Sequence, residues 1–123
     1  MKLWNPGDIE ANFILSIMPE EKGISKGSIS IGSKTLSWRD FQLEGNDSEV
    51  RINSKLNLVE GYDENGKKTG NIYNKYFNGF FFKIPVNKLL DASKDELTEK
   101  YEAPVMSISG VEKASIKYNY YYL

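Results

Sequence analysis

A chain of 123 residues, 40% hydrophobic and 27% charged, is sized and composed for one folded domain, 1–123, with a single core. Its formal charge of −1 removes the generic pull toward phosphate backbones, so nucleic acid is a poor expectation. The absence of Cys and His excludes disulfides, thiolate and imidazole catalysis and the commonest zinc ligands, and a protein with no metal, no cofactor and no enzymatic activity is expected.

The opening "MKLWNPGDIE" carries a turn at Asn5-Pro6-Gly7-Asp8 where a signal peptide needs an apolar run, and nothing downstream approaches the roughly 20 apolar residues of a membrane span. A cytoplasmic protein without a membrane partner is the expectation. Ile9, Ala11, Phe13, Leu15 and Ile17 alternate as in a half-buried strand, ended by Pro19 and "EEKG". "SISI" and "TLSW" flank Gly32-Ser33-Lys34 as a hairpin, with Arg39 to Phe41 continuing toward Leu43. After the loop "EGNDSE", Val50, Ile52, Leu56 and Leu58 resume the alternation, and Ser54 interrupts a long or bulged strand. "DENGKKTG" is the strongest turn signal, because Asn65-Gly66 favours positive φ at both central positions of a hairpin.

The returning segment "NIYNKYFNGFFFKIP" is aromatic and divided by Gly79. One helix is expected near residues 86–102: Pro85 suits a first turn, Ser93 to Glu96 match a capping box, and Pro104 stops it. "VMSIS" and "ASIKYNYYYL" follow as two strands across Gly110. In the last one, strict alternation places Ala114, Ile116, Tyr118, Tyr120 and Tyr122 inward and leaves Lys117, Asn119 and Tyr121 outward. The expected class is α+β, mostly β: an antiparallel twisted sheet, sandwich or partly closed barrel of about seven or eight strands and one helix.

Asp63-Glu64-Asn65-Gly66 mimics the start of a calcium loop, yet Lys67 and Lys68 stand where further oxygen ligands are required, and a turn is the better reading. Glu44, Asp47, Glu49, Glu60 and Glu64 lie in or beside turns and read as solvated carboxylates. On the expected helix, Leu90, Leu97 and Tyr101 share one side, while Asp91, Asp95, Glu99 and Glu102 form an acid stripe on the other. Tyrosine, concentrated after residue 72, offers contact area at low entropy cost.

The absence of Cys and His, the many short strands, the passage "FFFKIPVNKLL" into a helix and the aromatic ending resemble the small immunity proteins of bacterial contact-dependent and polymorphic toxin systems. The resemblance implies a cytoplasmic protein that neutralises a cognate toxin, commonly a nuclease, by covering its active or substrate-binding surface. A toxin with a basic surface would meet Asp91, Asp95, Glu99, Glu102, Glu44, Asp47 and Tyr121. The alternative is a β-barrel or sandwich holding a small apolar ligand between Phe80, Phe82, Tyr118 and Tyr120. A single-strand nucleic-acid platform with Lys75, Lys83 and Lys117 ranks below both.

Overall fold

The structure, a computed structural model, describes residues 1–19, 24–89 and 101–123. Among them are eleven strands: β1 Phe13–Pro19, β2 Ile24–Ile31, β3 Lys34–Gln42, β4 Asp47–Asn53, β5 Leu58–Asp63, β6 Lys68–Ile72, β7 Phe77–Gly79, β8 Lys88–Leu89, β9 Tyr101–Glu102, β10 Met106–Ser109 and β11 Val111–Tyr118. A single 3-10 turn, Asn74–Tyr76, precedes β7. Two antiparallel sheets result, β11-β1-β4-β5-β6 and β10-β2-β3-β7, with β8 and β9 pairing as a separate ribbon.

The mostly-β, antiparallel class stands, and the sheets do not close into a barrel. Their inner faces share one core, in which Phe13, Leu15, Ile17, Val50, Ile52 and Val59 of the larger sheet meet Ile29, Leu36, Trp38, Phe41 and Met106 of the smaller. At one side the chain itself links the sheets, because β10 passes into β11 over Gly110, whose φ of 78° only glycine adopts freely.

The larger sheet follows the alternation read from its residues. In β1 the buried positions are Phe13, Leu15, Ile17 and Pro19, whereas Ile9 lies outside the strand and is 41% exposed. The segment read as one long strand from Val50 is instead β4 and β5 joined by a turn. Asn53 accepts the Lys55 and Leu56 amides, and Asn57 takes a φ of 54°. Ser54 is part of that turn, and its buried hydroxyl receives the Phe13 N–H at 2.8 Å. The hairpin at Asn65-Gly66 is present, but only Gly66 is left-handed, at φ 76°; Asp63 accepts the Asn65 and Lys67 amides and organises the turn.

In β3, Leu36 and Trp38 point inward two residues apart, and so does Phe41, three residues further on. A bulge makes this possible. The β2–β3 register shifts between Ser25 and Gly27, and Asp40 takes a φ of 54°. The extra residue reverses the alternation and delivers Phe41 onto Tyr73 and Phe77.

The expected helix at 86–102 is contradicted at both of its ends. Lys88–Leu89 and Tyr101–Glu102 are strands that pair with each other, and residues 90–100 lie outside the described residues. The final strand also stops early. Phe13 opposite Tyr118 is the last pair of β1 and β11, and at Ala11 the chain has left that sheet to bridge Ile84. With no partner strand remaining, Asn119 to Leu123 continue as irregular chain, and Tyr120 and Tyr122, expected inside, are 44% and 66% exposed.

Candidate functional site

Three of the acidic residues expected to bind a partner, Asp91, Asp95 and Glu99, lie outside the described residues. Glu102 is exposed on β9, opposite Lys88, rather than on a helix. Glu44, at the corner between β3 and β4, is half-buried and pairs with Lys75 at 3.3 Å, which raises the lysine's pKa. Asp47 is a correction to the surface reading, being only 4% exposed.

The Asp47 carboxylate stands at the start of β4 and reaches over Gly61 of β5 to the side chains that follow on and after β6. Tyr73 and Thr69 donate hydroxyl hydrogen bonds to it, and the Asn71 amide donates another at 3.0 Å. A Cβ on Gly61 would fall on the carboxylate itself, which accounts for glycine inside a strand. Tyr73 is fully buried, and its oxygen also accepts the Glu44 N–H at 2.8 Å. Burial pushes the Asp47 carboxyl upward, but the hydrogen bonds from Thr69, Tyr73 and Asn71 outweigh it and hold the group below the usual carboxylate value. Burial, and then the bond to Asp47, raises the Tyr73 phenol. A carboxylate so enclosed and so fully occupied joins the larger sheet's strands. Its signal in the sequence is Thr69, Asn71 and Tyr73, three donors at alternate positions that face one way.

A different arrangement forms where the two chain ends meet. Asn5 is completely buried, and its amide donates to the Ile84 carbonyl at 3.2 Å while Asn5 and Asn87 exchange hydrogen bonds. This ties the Asn5-Pro6-Gly7-Asp8 turn to the segment before β8. The C-terminal residues are fastened to the same turn: Asp8 N–H donates to the Tyr121 carbonyl at 2.8 Å, and the Asp8 carboxylate accepts the Leu123 N–H at 2.8 Å. Gly7 is required there, since a Cβ would strike the Tyr121 backbone. Tyr118 donates its hydroxyl to the Trp4 carbonyl at 2.9 Å, and burial raises its pKa.

Four large aromatic residues of this anchored backbone, and Tyr101 of β9, are half-exposed or exposed. Trp4, Tyr101, Tyr120, Tyr121 and Tyr122 are 49%, 48%, 44%, 55% and 66% exposed, and the rings of Tyr120 and Tyr122 meet edge to face at 6.2 Å. Trp4, Val86 and Tyr101 border a depression of about 370 Å³. On its other side Tyr121 lines a larger open groove of about 880 Å³ with Ile14, Ile116, Lys55 and Lys117. Among the described residues no group of three or more carboxylates assembles a metal site. The surface is fitted for contact: flat rings with polar tips, held by backbone hydrogen bonds.

Of these residues, Tyr121 was legible as an outward ring. Trp4 carried no periodic signal, and Tyr120 and Tyr122 were concealed by an alternation that outlasts its partner strand. The four residues expected to hold an apolar ligand do not converge. Phe82 packs on Phe13 in the core at 5.7 Å, Phe80 is 71% exposed, Tyr118 is engaged with Trp4, and Tyr120 faces Tyr122.

No family model matches the chain, and no curated protein or solved structure matches it. No helix among the described residues is long and apolar enough to cross a membrane.

Proposed function

We propose that this is a cytoplasmic binding protein of the immunity kind, which neutralises a cognate bacterial toxin by covering its active or substrate-binding surface. The observation that carries the reading is the aromatic end, where the half-exposed or exposed rings of Trp4, Tyr120, Tyr121 and Tyr122 stand on backbone fixed by Asn5, Gly7 and Asp8, with Tyr101 of β9 also half-exposed. Exposed tyrosine and tryptophan on rigid backbone is what protein interfaces use, because large contact area is gained with little side-chain entropy lost. The acidic run Asp91, Asp95 and Glu99 is joined in sequence to Tyr101 and Glu102, so a basic toxin surface suits this end. The direct test is to add the purified protein to a toxin domain encoded beside it and assay the toxin's activity. Complete inhibition at one-to-one stoichiometry is expected, and undiminished activity with excess protein overturns the proposal.

A further inference from the structure

The outward face of the smaller sheet is built differently from everything above. Serine holds outward positions 28 and 30 of β2, following the outward Lys26, and positions 107 and 109 of β10, and the register aligns the row across four strands: Ser109 opposite Ser28, Ser28 opposite Ser37, Ser37 opposite Asn78. The next row repeats the pattern with Ser107, Ser30 and Thr35. Where the first row meets the bulge of β3, it opens into a groove of about 640 Å³ whose cationic lining is Lys26 and Arg39. The corner between β10 and β11 walls it on one side, held so close to β2 that a Cβ on Gly110 would strike the Lys26 carbonyl and one on Gly27 the Ser109 carbonyl.

Two observations describe the charge in this groove. First, no carboxylate among the described residues lines it, although the chain carries 17 Asp and Glu. Second, its cations are unmatched among the described residues. On the larger sheet Arg51 pairs with Glu49 at 3.4 Å and lies over the Tyr62 ring at 3.8 Å, and Lys68 pairs with Glu60 at 2.9 Å, while the exposed Lys113 and Lys117 of β11 form no ion pair with any described residue. Lys26 and Arg39 form no ion pair with any described residue. Arg39 follows Thr35 and Ser37 in the outward series by ordinary alternation, beside Lys26, just before the bulge at Asp40 turns Phe41 inward.

We propose that the groove is an oxyanion site for a phosphate or sulfate monoester carried on a hydroxylated body such as a sugar. Lys26 and Arg39 supply the charge for the ester oxygens, and Arg39 presents a planar fork of donors suited to them. Ser28, Ser37, Ser109 and Asn78 supply short donors and acceptors for the hydroxyls, and their small size lets the ligand lie near the sheet. This site lies on the outward face of the smaller sheet and does not depend on the toxin-binding proposal.

The test is a titration of the full chain followed by amide NMR, with separate arms for inorganic phosphate, glucose 6-phosphate, glucose 6-sulfate and glucose. Saturable shifts at Gly27, Ser28, Arg39, Ser109 and Gly110 are expected with an ester, tighter than with inorganic phosphate and absent with glucose. The arm that saturates at the lower concentration tells phosphate from sulfate. The double variant Lys26→Gln/Arg39→Gln, altered only at exposed positions, should lose about tenfold or more in affinity with the rest of the spectrum unchanged. Lys34→Gln/Lys67→Gln, exposed elsewhere, should bind as the unaltered protein does. Shifts spread over lysines on all faces without saturation, or equal affinity in the Lys26→Gln/Arg39→Gln protein, would overturn the proposal.

Discussion

Tyr73 and the tyrosines at 120–122 show how one residue type is put to opposite uses. Tyr73 has no exposure; its hydroxyl is committed to Asp47 and to the Glu44 amide, and its ring packs on Phe41 at 5.2 Å. The terminal tyrosines keep their backbone tied down while their rings remain in water. The difference lies in partners, since tyrosine is buried well only where its hydroxyl finds one. Beside Asp47 it finds one, and past Phe13 the strand that would have covered the later rings has turned away. Substitutions at the first tyrosine should therefore register in stability, and those at the second set in binding.

Asp47→Ala should have the largest effect. Tyr73 loses its acceptor in a buried place and Thr69 and Asn71 lose theirs nearer water, and a loss of about 3 kcal/mol is expected from denaturant midpoints. Gly61→Ala should cost about 2 kcal/mol by placing a methyl where the carboxylate stands. Combined with Asp47→Ala its cost should shrink, and a double-mutant cycle that returned simple additivity would show that the two do not meet as described. Tyr73→Phe leaves the ring and removes one donor and one acceptor, for about 1–3 kcal/mol.

The same carboxylate fixes the sign of an acid effect. Because the folded group sits below its unfolded value, its contribution is fully present above about pH 4 and fades as pH falls through the folded pKa. Stability measured between about pH 5 and 2 should therefore decline, and Asp47→Asn should flatten that part of the decline. Removing residues 119–123 should have the smallest effect, about 1 kcal/mol or less, since the rings bury little and only the hydrogen bonds to the Asp8 turn are lost. Cutting back through Ile116 and Tyr118 is another matter, because both are half-buried against the core.

Strands with one buried face were legible because side-chain direction follows the period-two backbone: Phe13 to Ile17, Val50 to Ile52 and Ala114 to Tyr118 all pack as their spacing requires. What escaped was every feature set by a partner distant in sequence. The inward turn of Phe41 needs a bulge opposite Lys26, the burial of Ser54 depends on the Phe13 amide, and the end of β11 is decided by where β1 begins. Asp47 was misplaced for the same reason: its neighbours Asn46 and Ser48 look like a loop, while its donors stand more than twenty residues away. The aromatic end was half visible, since Tyr121 follows from alternation but Trp4 is brought to it only by folding.

On the proposed function, the exposed rings bind and the buried one supports. Titration calorimetry of a toxin domain encoded beside this chain, run with the unaltered protein, with Trp4→Ala/Tyr121→Ala and with Tyr73→Phe, together with a melting curve for each, tests it most directly. Trp4→Ala/Tyr121→Ala is expected to weaken binding by about a hundredfold with its melting temperature kept, while Tyr73→Phe melts earlier and, below its transition, binds as the unaltered protein does. Full affinity in Trp4→Ala/Tyr121→Ala would contradict it.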